Sequence, residues 1–164
     1  EHSIVPLARL FRGTGHVLRF IEYMDVGTLN GWDPAQVVSA GEIVKAVDAV
    51  FPLAALEPGY AGEVAERWGY RDGSGEIGVI ASVTQPFCRG CTRARLTIEG
   101  KLVTCLFAAG GRDLRGPLRE GASDADLRGL VEGVWTRRSD RYSEERVERA
   151  GTRPVRLEMY QIGG

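Results

Sequence analysis

The chain has 164 residues, 43% of them hydrophobic and 26% charged, and a net charge of −1. Those totals describe a globular protein of one domain, or of a small domain with part of another. They give no global positive field to draw nucleic acid or an anionic membrane, and no apolar run is long enough to span a bilayer.

The chain begins at Glu1 without a methionine, already inside an apolar-periodic segment, which suggests a piece of something longer. Ile4, Leu7, Ala8 and Phe11 have helical spacing, with Pro6 in a first turn where its missing N–H is tolerated. Gly13 to Gly15 end that helix. Residues 17–24, from Val17 to Met24, read as a strand: β-branched and aromatic residues between breakers. Arg19 and Glu22 fall on its opposite faces, yet they are also candidates for a barrel-interior ion pair. Helix then strand is half of an α/β unit, and chemistry in such folds collects at the carboxyl ends of strands. Met24, Asp25 and a long loop with Gly27, Asn30, Gly31, Trp32, Asp33 and Pro34 occupy that end; by residue type alone, Met24 is a core residue.

Ser39 and Glu42 make a capping box that opens a helix through Phe51, with Ile43, Val44, Val47 and Val50 on one face. Pro58-Gly59 marks a boundary, so the chain divides into residues 1–56 and 57–164. Beyond it the pattern is one of hairpins. Val64 to Tyr70 and Ile77 to Val83 are strands joined through Asp72-Gly73-Ser74-Gly75. Ala94 to Ile98 and Leu102 to Leu106 pair around Glu99-Gly100-Lys101. Ser123 and Asp126 cap another helix, with Leu127, Leu130, Val131, Val134 and Trp135 on it and Arg137-Arg138 at its end. Residues 139–153 are highly charged and read as solvated. Met159, Tyr160 and Ile162 make the tail apolar enough to dock, and its last two residues, Gly163 and Gly164, have no side chains to keep them out of a narrow site.

Cys88, Cys91 and Cys105 are the only cysteines, in a C-x2-C-x13-C spacing across the base of the second hairpin. An odd count with a close pair argues against a disulfide framework and for metal binding in a reducing compartment. No signal-peptide pattern precedes them, so the expected location is cytoplasmic. Zinc normally takes four protein ligands, and the histidines, His2 and His16, lie far off in the sequence. A cubane also takes four thiolates as a rule, and three would leave one iron open to a substrate ligand. Three buried thiols without metal, a zinc site and an iron–sulfur cluster are therefore the readings, and the cluster fits the spacing best. Arg93 and Arg95 alternate on the strand leaving Cys91, so both guanidinium groups project to one side. There they suit phosphate oxygens or, as an ordinary strand face, carboxylates.

The segments Arg19-Phe-Ile-Glu-Tyr-Met24-Asp-Val-Gly27, Asn30-Gly31-Trp32 and Phe87-Cys-x-x-Cys-x-Arg-x-Arg-Leu-Thr97 are followed by Gly100, Cys105-Leu-Phe107 and the closing Ile162-Gly163-Gly164. In these pieces, and in their order, the chain resembles the GTP 3',8-cyclase family, radical S-adenosylmethionine enzymes of molybdenum cofactor biosynthesis. The resemblance implies an incomplete triosephosphate-isomerase-type (βα)6 barrel with a C-terminal α+β extension. Residues 1–56 would be the barrel's last helix, strand, loop and helix, and 57–164 the iron–sulfur and GTP-binding extension. It further implies a [4Fe-4S] cluster on Cys88, Cys91 and Cys105 whose open iron meets the guanine of GTP. Arg93, Ala94 and Arg95 would contact GTP and, more loosely, so would Arg19. Met24 would line the S-adenosylmethionine site, and Gly163 and Gly164 would set active-site geometry. The family's other half carries a C-x3-C-x2-C motif for a second [4Fe-4S] cluster, which this sequence lacks. Thr92 also departs from the Asn or Asp common there. The chain thus looks like the C-terminal part, inactive alone, with its N-terminal half as partner, cyclic pyranopterin monophosphate synthase as the next enzyme, and self-association as a homodimer. The competing expectation is a non-enzymatic zinc or iron–sulfur interaction module. Against that module, the strand at residues 17–24 is expected to lack a parallel neighbour in this chain, leaving edges that promote aggregation.

Overall fold

A computed structural model describes residues 2–146 and 155–162. It has mixed α/β architecture and separates into two compact units, neither contiguous in sequence. The first contains residues 1–24 and 32–91, the second 25–31 and 92–164.

In the first unit, helix α1 (Ile4–Phe11) precedes strand β1 (Leu18–Ile21), followed by helix α2 (Ala40–Asp48) and strands β2 (Leu53–Leu56), β3 (Glu66–Tyr70) and β4 (Glu76–Ile80). The sheet order is β1-β4-β3-β2. Strands β2, β3 and β4 are antiparallel neighbours, and the Asp72-Gly73-Ser74-Gly75 connection joins β3 to β4 as expected. Strand β1 pairs with β4 in parallel, Leu18 to Ile77 through Ile21 to Ile80. This corrects the expectation of a strand without a parallel neighbour. The partner was legible as a strand, but hairpin chemistry accounts only for its antiparallel side.

Alternation along β1 turns Leu18 and Phe20 inward and Arg19 and Ile21 outward. Strand β4 is buried over Ile77, Gly78 and Val79, as befits a strand with neighbours on both edges. Its apolar residues pack against Ala8 of α1 and Ala40, Ile43 and Val47 of α2 to form the core, which Leu53, Tyr70 and Ala81 complete. Helix α2 starts where the sequence placed it. The Ser39 side chain accepts from the Glu42 amide, and the Glu42 carboxylate accepts from the Ser39 amide and hydroxyl. It stops at Asp48, whose carboxylate accepts the Leu53 amide at 2.7 Å and so turns the chain into β2.

The second unit has a small antiparallel sheet of order β5-β6-β7, formed by β5 (Arg95–Leu96), β6 (Lys101–Val103) and β7 (Arg112–Asp113). Helices α3 (Arg115–Arg119), α4 (Asp124–Thr136) and α5 (Tyr142–Glu145) follow. The expected Ser123–Asp126 capping box opens α4. No residue of α4 is fully buried, and Val131 and Trp135 are exposed. Among the described residues, no helix is long and apolar enough to cross a membrane.

Candidate functional site

Cys88 begins a 3-10 turn, Cys88–Gly90, and the Cys91 amide closes it on the Cys88 carbonyl at 3.3 Å. Residues three apart eclipse in such a turn, so Cys88 and Cys91 share one side. Both are half-buried in the first unit. Cys105 is half-buried in the second, two residues beyond β6. Within neither unit, among the described residues, do three His, Cys, Asp or Glu side chains gather as a metal-binding group.

Arg93, Ala94 and Arg95 are exposed at the start of the β5–β6 hairpin. Thr97 anchors the turn: its carbonyl accepts the Gly100 amide at 2.9 Å, and its hydroxyl accepts the Lys101 amide at 3.1 Å. In this hairpin Arg95 pairs with Val103 and Leu96 with Leu102. Arg93 precedes β5 by two residues and Cys105 follows β6 by two. The C-terminal segment lies along this hairpin, since the Ile98 amide donates to the Gln161 carbonyl at 3.2 Å and the Leu157 amide to the Ala108 carbonyl at 3.0 Å. Ile162 is 3% exposed, so the expected docking of the tail holds up to that residue. Gly163 and Gly164 lie outside the described residues.

In the first unit, Met24 is half-buried. Arg19 lies on the outer face of β1, half exposed, and approaches the nearly buried Glu63 carboxylate at 3.7 Å, a long contact. The Arg19–Glu22 ion pair is thus corrected. Glu22 turns inward and is 2% exposed. Its carboxylate accepts from the amides of Ala40, Val83 and Thr84 at 2.7, 2.7 and 2.8 Å and from the Thr84 hydroxyl at 2.5 Å. A cleft of ≈ 320 Å³ opens nearby among Leu56, Glu63, Arg67, Trp68, Gln85 and Phe87. Met24, Arg19 and the cysteines do not line it.

A buried hydrogen-bonded cluster in the second unit centres on Asp25, also 2% exposed. Its carboxylate accepts from Arg146 Nε at 2.9 Å, Tyr142 Oη at 2.5 Å and Arg156 Nη1 at 3.0 Å. Arg156 Nη1 also donates to the Asp25 carbonyl at 2.7 Å, and Nη2 to the Tyr142 hydroxyl. The Tyr142 ring packs on Phe107 at 4.5 Å between centroids, with the Arg156 guanidinium 4.2 Å from the Tyr142 centroid. Burial pushes the Asp25 carboxyl up, but hydrogen bonds from Tyr142 and Arg156 and the charge of Arg146 outweigh it and hold the group below the ordinary aspartate range. Burial, and then Asp25 itself, push the Tyr142 hydroxyl up. Tyr142 and Arg146 lie in the stretch expected to be solvated, so that expectation is corrected for its described part. One turn of α5 places the two residues four apart on the same face, where they bury against Asp25. In the sequence Asp25 stands out only as the neighbour of Met24, because partners 117 to 131 residues away leave no local pattern.

The family described as Molybdenum Cofactor Synthesis C matches residues 16–144. Among curated proteins, the chain is similar to a GTP 3',8-cyclase of Acidothermus cellulolyticus, 55% identical over 150 residues, covering 89% of this chain and 41% of that protein. It is 48% identical over 164 residues to the GTP 3',8-cyclase of Xanthomonas campestris pv. campestris strain B100, covering all of this chain and 48% of the relative. For the protein of the same name from Synechococcus sp. strain WH7803 the figures are 49%, all of this chain and 46% of the relative. The chain therefore spans about half the length of the relatives it matches.

Proposed function

Because the chain belongs to the Molybdenum Cofactor Synthesis C family, we propose that it is the C-terminal, GTP- and cluster-binding part of a radical S-adenosylmethionine GTP 3',8-cyclase. The whole enzyme converts GTP to 3',8-cyclo-7,8-dihydro-GTP for molybdenum cofactor synthesis. In this reading α1, β1 and α2 are the end of the (βα)6 barrel, and the rest is the closing extension. Cleavage of S-adenosylmethionine and the second cluster belong to the part of the relatives' length that this chain does not span, with Met24 contributing to the S-adenosylmethionine site. The enzyme is cytoplasmic and homodimeric, and its product passes to cyclic pyranopterin monophosphate synthase.

The observation that carries the reading is the β5–β6 hairpin, with exposed Arg93 and Arg95 following Cys91 and Cys105 following β6. The donor set fits an iron–sulfur cluster: two thiols share one side of a 3-10 turn, a third follows the hairpin, and soft thiolates suit iron–sulfur sites. When bound through Cys88, Cys91 and Cys105, a [4Fe-4S] cluster supplies one iron open to a nitrogen or oxygen of substrate. Arg93 and Arg95 hold the triphosphate by charge-assisted hydrogen bonds, and the Ala94 backbone lets it approach between them. Arg19, only loosely held by Glu63, adds a further cation. Gly163 and Gly164, outside the described residues, are assigned to active-site geometry. These groups bind, orient and offset charge; the radical chemistry is the cofactor's.

Anaerobic reconstitution tests the assignment. The protein is expected to turn brown, with absorption that GTP perturbs. Cys105→Ser is expected to abolish the colour, and Arg93→Ala to weaken GTP binding about tenfold, the loss of one charge-assisted contact. Colourless protein with one zinc per chain, a fourth protein ligand and no response to GTP would establish an interaction module instead.

A further inference from the structure

The loop after Met24 and the C-terminal segment are tied together at two points inside the second compact unit. At one, the Glu158 carboxylate accepts from the Thr28 amide at 2.7 Å and the Thr28 hydroxyl at 2.8 Å. At the other, Arg156 grips both the backbone carbonyl and the carboxylate of Asp25, while Tyr142 and Arg146 donate to the same carboxylate. Between these points Val26 is buried and Gly27 faces Glu158. Gly27 has φ +71°, and a Cβ there would lie 2.0 Å from Glu158 Oε2, so both its conformation and its lack of a side chain admit the contact. The same segment is fixed to Ile98 of the hairpin through Gln161 and to Ala108 through Leu157. Its position is therefore set from two sides.

We propose that Asp25–Arg156 and Thr28–Glu158 form a two-point latch that fixes residues 156–162, the approach to the diglycine, against the loop that follows Met24. Asp25, Thr28, Arg156 and Glu158 are then positioning residues for the GTP reaction, a role that rests on the function proposed above. They act through the two segments they join: one follows the residue assigned to S-adenosylmethionine, the other precedes the tail assigned to substrate geometry.

The test uses the full-length protein. Glu158→Ala removes the acceptor, Glu158→Gln keeps one acceptor oxygen, and Thr28→Val keeps the amide but loses the hydroxyl. Glu158→Ala is expected to raise amide exchange at Thr28 and across residues 155–162 about tenfold, the loss of charge-assisted bonds. It should also lower kcat for GTP conversion about tenfold while leaving KM for GTP within about threefold, as loss of positioning does. The ratio of S-adenosylmethionine cleaved to GTP converted should rise, a signature that a plain loss of folded protein would not give. Glu158→Gln should recover part of each effect, and Thr28→Val should add little in the Glu158→Ala background. Unchanged exchange at Thr28, or additive effects of Thr28→Val and Glu158→Ala, overturns the latch. Lost exchange protection with kcat and the cleavage ratio unchanged overturns the positioning role alone. A wild-type protein that binds no GTP overturns that role together with the proposed function.

Discussion

At Glu22 a buried carboxylate holds the start of α2 and the chain after β4 in place, because its oxygens are the acceptors for three backbone amides and a hydroxyl. Strand parity made it legible that Glu22 and Arg19 face opposite ways. It could not show what Glu22 faces, since the amides lie 18, 61 and 62 residues along the chain. Burial raises its pKa, but hydrogen bonds from the Thr84 side chain and the amides of Thr84, Ala40 and Val83 lower it by more, leaving it below the ordinary 4.5. A depressed carboxylate contributes stability that is fully present above the unfolded value and lost as pH falls through the folded one. Glu22→Gln turns an amide NH2 toward N–H donors and leaves buried groups unsatisfied, at a cost of about 3 kcal/mol. Urea titrations of both proteins should show that gap above pH 4.5, narrowing as pH falls below it. A gap independent of pH would mean that the carboxylate charge is not what the amides hold.

Elements with local signals were legible, while those decided by distant partners were not. Both capping boxes and the Asp72–Gly75 turn are written in adjacent residues, and all three formed. Strand β2 escaped notice because Leu-Ala-Ala-Leu favours helix; pairing with Arg67 to Tyr70 overrides that preference. The two capped helices differ in what they bury, and this makes their caps unequal. Helix α2 places Ala40, Ile43 and Val47 in the core, whereas α4 has no fully buried residue. Ser39→Ala should therefore lower global stability by about 1 kcal/mol, the usual value of a cap. Ser123→Ala should fray α4 locally, raising amide exchange in its first turn while the global denaturation midpoint hardly moves. Equal midpoint shifts in the two variants would show that α4 is coupled to a core more tightly than its burial indicates.

On the scale of the whole molecule, the cysteine spacing was plain in the sequence but the distribution of the thiols was not. Spacing is local, whereas the compact units interleave: residues 25–31 fold with residues 92–164, and the first unit resumes at residue 32. Cys88 and Cys91 belong to the first unit and Cys105 to the second. Each unit has buried apolar residues of its own, Ile77 and Val79 in the first and Val103 and Phe107 in the second. The metal-free chain is accordingly expected to unfold in two calorimetric transitions. Binding to the native state alone stabilises by mass action. Because all three thiolates must be in place for a tight site, loading should raise the lower transition by about 10 °C or more. Cys105→Ser should leave the transitions unmoved under the same anaerobic conditions. Transitions that persist unmoved after loading, with iron bound, would mean that Cys105 is not the cluster's third ligand.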